Sequence, residues 1–362
     1  MKKHDGEGST RRRKVFYICG SINQTTQMHQ IARELGPGYR HIFSPYYGNH
    51  DFELLRRMGA LEHTIGGHRL QRRCLEYLHD HELEVDYGLA NHGHVDLVFQ
   101  CSDLVRPVNI RDKRVILVQE GMSDPESVLF PLVQRFRWIP GFFGGTSATG
   151  LSDLYDRFCV ASEGFKRLFV QRGVKAEKVV VTGIPNFDDC AKYCDGDFPW
   201  RDYVLCCTSD VREVWWWENR RAFILEAKAI AERHQRPLVF KLHPNENVER
   251  AIAEIRRWAP EAMVYTSGSA EEMVANCTAL VCKYSTLAFV GIALGKEVHS
   301  LFPNTELEAL LPEQNRAAAR NIAQVARELL IRSQPPKTRP FPLFAKPPRV
   351  GPKEGMLLRR SA

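Results

Sequence analysis

The residues best suited to chemistry sit where short apolar runs break into polar turns. The run Arg114–Val118 delivers Gln119-Glu120-Gly121, a carboxylate beside a glycine that clears space around it. A glutamate so placed can take the proton of an attacking hydroxyl, which makes Glu120 the leading candidate for a general base. Asp124, in Met122-Ser123-Asp124-Pro125, is the alternative carboxylate, with turn capping as its structural role. A second run, Pro237–Leu242, ends in Lys241-Leu242-His243-Pro244-Asn245. Lys241 offers a point charge to a diphosphate and His243 a donor, while Pro244 fixes the backbone that presents them. A third run, Ala279–Lys283, leads through Tyr284 into Ser285-Thr286, where two hydroxyls and the amides of a helix start suit the same anion. Gln27 and His29 lie early on the helix after the first strand, with a cleft-facing and a packed position both open to them. His29 joins Glu120 and Asp124 as a catalytic candidate.

Two pairs, His79-x-His81 and His92-x-His94, lack a third ligand of clear spacing, so no metal is expected. The segment Gly141-Phe142-Phe143-Gly144-Gly145-Thr146-Ser147 reads as a mobile acceptor-side loop, with its aromatics as anchors in the structural reading. Trp215-Trp216-Trp217 cannot all face one core, and core packing for most of them is favoured over base stacking.

Such turns need rigid elements behind them. Short β-branched or aromatic runs alternate with amphipathic stretches along the chain, the pattern of parallel sheets covered by helices. The fold class is α/β, with two Rossmann-like doubly wound domains. Strands are predicted at Val15–Cys19, Arg40–Phe43, Val95–Gln100, Arg114–Val118, Arg157–Ala161 and Lys178–Thr182 in the first half. Tyr203–Thr208, Pro237–Leu242, Met263–Thr266, Ala279–Lys283 and Glu297–Leu301 follow in the second. Helices are predicted at Gln24–Leu35, Glu163–Arg172, Trp215–Gln235, Val248–Trp258, Ala270–Asn276, Thr286–Leu294 and Gln314–Arg332. The boundaries divide the chain into a basic extension at 1–14, an acceptor-side domain at 15–186, a nucleotide-donor domain at 187–332 and a Pro-rich basic tail at 333–362. The linker is Asn186–Trp200, where Asp, Cys, Gly and Pro replace periodic hydrophobics.

The chain of 362 residues carries a formal charge of +7. Of this, +4 lies in residues 1–14 and +6 in 333–362, leaving −3 for the middle. The folded part is therefore no nucleic-acid surface, while the ends would attract an anionic membrane surface peripherally. The ten cysteines have no repeated spacing, and Cys190-x-x-x-Cys194 is a weak zinc signal; most fall in strand-like runs and read as buried thiols of a reducing compartment. With no apolar run near the ~20 residues of a membrane span, a cytoplasmic location is expected, at or near the inner membrane face.

Lys241-x-His243-Pro244, followed about forty residues later by Ser285-Thr286-(x)8-Gly295-Lys296, resembles the donor-binding half of GT-B enzymes, in particular the CDP-glycerol glycerophosphotransferase family of capsule and teichoic-acid synthesis. Thr182-Gly183-Ile184-Pro185-Asn186-x-Asp188 resembles the hinge of the non-hydrolysing UDP-N-acetylglucosamine 2-epimerases, and Gly20-Ser21-Ile22-Asn23-Gln24 resembles the GT-B loop beneath donor or acceptor. These likenesses imply a GT-B fold with a cleft, and donor contacts at Lys241, His243, Pro244, Ser285, Thr286, Gly183 and Asn23. They imply transfer of a glycosyl or glycerophosphoryl group from a nucleotide-sugar or CDP-glycerol donor to a glycan or lipid-linked hydroxyl acceptor in bacterial envelope polysaccharide synthesis. The donor is a substrate and no cofactor is expected. A 2-epimerase and a non-catalytic nucleotide or glycan-binding protein are the alternatives. The families place a glutamate four residues after the threonine to hold the donor ribose, and this chain has Val290 there.

Overall fold

The computed structural model describes residues 12–45, 68–86, 94–105, 110–209, 212 and 218–331. The basic extension up to residue 11, the Pro-rich tail, His92 and Trp215–Trp217 lie outside them.

The first sheet is built from β1 (Arg13–Ile18), β2 (Tyr39–Ser44), β3 (Leu97–Gln100), β4 (Val115–Val118), β5 (Arg157–Val160) and β6 (Val179–Val181), in the order β2-β1-β3-β4-β5-β6. The second uses β7 (Val204–Cys207), β8 (Leu238–Lys241), β9 (Met263–Tyr265), β10 (Ala279–Val281) and β11 (Glu297–His299), in the order β11-β10-β7-β8-β9. Every strand pairing in them is parallel. Parallel strands covered on both faces need apolar side chains in both directions, which is why β3, β4, β7 and β8 are buried throughout their length. The two-residue period then divides them. Val15, Tyr17 and Cys19 enter the core beneath α1 (Ile22–Leu35), whereas Phe16 and Ile18 enter the core on the other face.

The helices between the strands are α2 (His68–Asp80), α3 (Phe130–Arg135), α4 (Glu163–Gln171), α5 (Arg220–His234), α6 (Val248–Trp258), α7 (Ala270–Asn276), α8 (Leu287–Ala293), α9 (Asn304–Leu310) and α10 (Ala318–Ile331). Ser21 caps α1 by accepting from Gln24 N, and Gly36 ends it at φ 83°. Ser162, Asn219, Asn247 and Ser269 cap α4, α5, α6 and α7 in the same way. The tryptophan run therefore precedes α5 rather than opening it.

One boundary differs from the sequence reading. Helix α10 belongs to the first sheet, because Ile322, Ala323, Ala326, Leu329 and Leu330 complete the core formed by Tyr17, Met28 and Ile31. The first unit is thus 12–186 plus the last helix, not a contiguous segment, and the chain crosses twice between units. The crossings are stapled together. Asp188 Oδ2 accepts from Ala318 N at 2.9 Å, Arg316 N donates to Asp188 O at 3.0 Å, and Gln314 donates to Phe187 O. Burial raises the Asp188 carboxyl above its ordinary value, with the Ala318 bond opposing it. Behind the cleft, α4 lies against α9 so closely that a Cβ on Gly164 would stand 1.8 Å from Ala309 O, and Phe165 meets Phe289 edge-on at 5.9 Å.

Candidate functional site

In the first sheet the chain turns from β1 to β2 on one side and reaches β3 on the other. The gap between β1 and β3 is therefore the topological switch point, where crevices open at the carboxyl ends of strands. A cavity of about 210 Å³ lies there. Its lining comes from the turn after β1 (Asn23, Gln24), the end of β3 (Cys101, Ser102), the turn after β4 (Gln119 to Ser123), Thr146, Thr149 and, from the second unit, Thr286.

Glu120 stands in this cavity with its carboxylate fixed. Ser21 Oγ donates to Oε1 at 2.8 Å and Gln24 Nε2 to Oε2 at 2.7 Å. The Gln24 amide cannot turn freely, since its Oε1 accepts from Gly20 N at 2.9 Å. Gln119, buried beside it, donates to Gly121 O at 2.7 Å and accepts from Ala161 N at 2.9 Å, locking the turn that carries Glu120. Gln27 proves to be buried under this turn, donating to Gln119 O at 2.9 Å. Among the described lining residues Glu120 is the one carboxylate, and burial pushes the Cys101 thiol far above its ordinary value, so these residues supply one carboxylate and no thiolate.

Gly121 explains how the second unit reaches this point. A Cβ there would lie 2.6 Å from Thr286 Cγ2, so only glycine lets the β4 turn and the start of α8 meet. Asn23 lines the same cavity, and its carbonyl accepts from Asn186 Nδ2 at 2.8 Å. Gly183 lies instead at the chain crossing, with φ 77° and a notional Cβ 3.0 Å from Ala318 Cβ.

Other expected positions fall differently. His29 turns away from Glu120 to α2, bonding Tyr77 Oη at 3.0 Å and meeting His81 edge-on at 5.1 Å, because five residues along a helix rotate it away from Gln24. Asp124 is exposed and outside the cavity lining. It ties its own turn to the next segment, accepting from Thr146 Oγ1 at 2.7 Å while its backbone N donates to the same hydroxyl. The glycine-rich segment Gly141–Ala148 forms two short 3-10 turns kinked at Gly145 (φ 64°), held by buried Gly144, Ser147 and Ala148 with Phe142 and Phe143 exposed, so the aromatics do not anchor it. The buried Arg172 holds the neighbouring turn, donating to Ser123 Oγ at 2.6 Å and Asp124 O at 3.1 Å, and desolvation lowers its guanidinium to about 10.

In the second sheet the switch point lies between β7 and β10. Thr208, just after β7, accepts from His243 N at 3.0 Å and donates to Glu246. His243 Nδ1 accepts from Asn245 N at 3.3 Å. Pro244 is exposed beside it. Ser285 Oγ accepts from Leu287 N at 3.2 Å, and Thr286 makes no side-chain cap bond, its side chain lining the Glu120 cavity. Lys241 does not stand at the mouth. It pairs with Cys207 in the sheet, is buried, and its Nζ donates to Leu242 O at 3.3 Å, so burial lowers its ammonium below the ordinary value. Val290 is fully buried in the core.

Sequence reasoning missed an ionic cluster at this end. Arg220 lies 2.8 Å from Glu218 and 2.6 Å from Glu246, Arg212 lies 2.8 Å from Glu254, and Lys283 lies 3.2 Å from Glu218. These charges come from five separate loops and helices and no spacing announces them. Each cation of this cluster faces a carboxylate.

No protein-family model matches the chain, and no curated protein matches it in sequence. Solved structures do match in fold. The UDP-GlcNAc 2-epimerase from Neisseria meningitidis bound to UDP-GlcNAc aligns with a TM-score of 0.55 at 13% identity, over 88% of this chain and 100% of that one. The S. aureus MnaA–UDP structure gives 0.54 at 13% identity, over 88% of both chains. A putative UDP-N-acetylglucosamine 2-epimerase from Listeria monocytogenes gives 0.55 at 12% identity, over 89% of this chain and 88% of that one. Together with the two parallel sheets, the likeness establishes the GT-B architecture expected from the sequence.

Proposed function

We propose that the chain is an enzyme of nucleotide-activated substrates, transferring a glycosyl or glycerophosphoryl group to a hydroxyl acceptor with Glu120 as general base. The observation that carries this reading is the fixed Glu120 carboxylate, alone of its kind among the described lining residues of a cavity that Thr286 completes from the other unit. Transfer needs one base. The acceptor O–H gives its proton to Glu120 as oxygen attacks the anomeric carbon, or the phosphorus of a glycerophosphoryl donor. The bond to the nucleotide breaks, and its electron pair leaves on phosphate. Charge on that phosphate is assigned to His243, the amides that open α8 and the Ser285-Thr286 hydroxyls, with Asn23 at the mouth. Pro244 and Gly183 hold backbone rather than substrate, and Lys241 supports the His243 turn from below.

The cavity volume of about 210 Å³ suits a sugar or glycerol unit rather than a whole nucleotide, whose base would lie toward the second sheet. The acceptor is a glycan or lipid-linked chain of the bacterial envelope, and the reaction belongs on the cytoplasmic side, where the basic ends meet the membrane. No described helix is long and apolar enough to cross it.

A second reading, a UDP-N-acetylglucosamine 2-epimerase, is favoured by the fold of the matching structures. It requires removal and return of a proton at one sugar carbon, hence two acid/base groups, whereas the described lining offers one carboxylate. Thermal shifts with UDP, CDP, GDP, CMP and their conjugates identify the nucleotide, because selective binding raises the melting temperature. The selected donor is then incubated with and without acceptor. Acceptor-dependent release of nucleotide, absent in Glu120→Gln, supports transfer; a 2-epimer formed without acceptor establishes the second reading; no binding by any nucleotide would leave a non-catalytic protein.

A further inference from the structure

A separate cluster lies on the far edge of the second sheet. β11 is the edge strand beside β10, and Glu297 and His299, two residues apart, project from the same side of it. His234, the last residue of α5, meets them from the helix end. His299 Nε2 lies 2.8 Å from Glu297 Oε1, and His234 Nε2 lies 3.2 Å from Glu297 Oε2. All three candidate ligand atoms fall within 4.8 Å of one another. None of the three residues lines the Glu120 cavity.

The geometry is unusual in one respect. His234 Nε2 is shielded from solvent and has no hydrogen-bond partner, although a carboxylate oxygen stands 3.2 Å away. A ring nitrogen and a carboxylate oxygen facing each other this closely repel unless a hydrogen on that nitrogen or a bound cation lies between them.

We propose that His234, Glu297 and His299 bind a divalent transition ion of borderline softness, with zinc as the natural occupant. Two imidazoles and one carboxylate form the donor set such ions prefer over magnesium or calcium, which take oxygen ligands. Bonds of about 2.0–2.1 Å at tetrahedral angles separate neighbouring donors by about 3.3 Å, which the 3.2 Å between His234 Nε2 and Glu297 Oε2 already matches, while the three ligand atoms lie within 4.8 Å of one another. Arg233 lies 2.7 Å from Glu297 Oε1 and 3.3 Å from His299 Nε2. Its side chain is 58% exposed, so it can release His299 to the ion and keep Oε1, leaving Oε2 for the metal. The remaining coordination positions go to water. Such an ion would tie the end of α5 to an edge strand whose outer backbone groups lack a neighbouring strand, a clamp on the second unit rather than a part of the cleft.

The test uses the full-length protein stripped with a chelator and titrated with Co²⁺, followed by Zn²⁺ competition. Expected are visible d–d bands of a nitrogen and oxygen site saturating at one equivalent, loss of the bands on adding zinc, and a zinc-induced rise in melting temperature that magnesium does not reproduce. Glu297→Gln and His299→Ala should each weaken binding roughly tenfold or more. Both side chains are partly exposed, so the chelated variants should melt where the chelated parent does; that comparison separates a lost ligand from a lost fold. Absence of a saturable Co²⁺ spectrum would overturn the proposal in favour of an imidazolium–carboxylate pair. So would a thiolate charge-transfer band, which would place the ion at Cys194, the exposed cysteine, and so would binding indifferent to both substitutions.

Discussion

The approach of the two units at Gly121 can be tested by adding and removing single methyl groups. Alanine fits the backbone here, since Gly121 does not use the left-handed region, but its Cβ would stand 2.6 Å from Thr286 Cγ2. Ordinary carbon contacts lie at roughly 3.5–4.0 Å, so the β4 turn and the start of α8 must separate by about 1 Å, or Thr286 must leave its χ1 well. Overpacking of this size costs about 1–3 kcal/mol. In a Thr286→Ser background the offending methyl is gone, and the next atoms, Phe187 Cε2 and Thr286 Cβ, are both 3.8 Å away, which is comfortable contact. Gly121→Ala should therefore cost less than about 0.5 kcal/mol there, a coupling well above the additivity error of distant sites. Four proteins measured by thermal and denaturant unfolding close the cycle, and the single substitution should lower Tm by a few degrees. Donor affinity should fall in parallel and recover in the double variant. Equal losses in both backgrounds would refute the contact, and with it the claim that Thr286 completes the Glu120 cavity.

Other perturbations probe the remaining links. Glu120→Gln should reduce kcat by roughly 10²–10⁴ with Tm almost unchanged; retained turnover would remove Glu120 from the base role. Arg220→Met removes the cation shared by two carboxylates that are each 1% exposed, so a loss of about 3–5 kcal/mol in urea unfolding is expected, and a loss under 1 kcal/mol would show that the pair is dispensable. Gly183→Ala forces a non-glycine residue to φ 77° and crowds Ala318, for a cost of about 1–2 kcal/mol, read as a lower urea midpoint. Hydrogen bonds from Arg212 hold Glu254 below its ordinary value of 4.5 despite the opposing effect of burial. A depressed carboxyl contributes stability that is complete above that value and lost as pH falls through the lower, folded one. Glu254→Gln should therefore flatten the acid limb of a Tm profile as pH falls below about 4.5; an unchanged limb assigns acid sensitivity elsewhere.

The strands were legible because parallel sheets demand continuous apolar runs, and each of the eleven predicted from the sequence overlaps an observed strand. Helices with a clear cap and stop, such as Ser162 to Gly173 around α4, were equally readable. The misses have physical causes. In helix α2 polar residues such as Arg72, Arg73, Glu76 and His79 outnumber the apolar ones, and α3 is too short for its period to show. Helix α10 was found, but nothing local says which sheet its apolar face covers; that depends on Asp188 and Gln314 joining crossings more than a hundred residues apart.

The same distinction governs the site. Glu120 and Thr286 were legible as residues at strand ends and both line the cavity, since topology brings carboxyl ends to a crevice. What the strand ends could not give is orientation, which is a property of partners. Glu120 faces the cavity because Ser21 and Gln24 hold it, and Gln24 is held by Gly20, so the carboxylate is aimed by a turn a hundred residues earlier in the chain. Lys241 shows the converse. Its position at a strand end suggested a phosphate contact, but the alternation of β8 sends Phe240 to one core and Lys241 to the opposite face beside Cys207, where burial works against its charge. A lysine one residue later would have changed faces. The side a residue takes at the last rung of a strand therefore decides whether it can serve the cleft, and that side is fixed by register, which pairs Lys241 with Cys207 and Phe240 with Cys206.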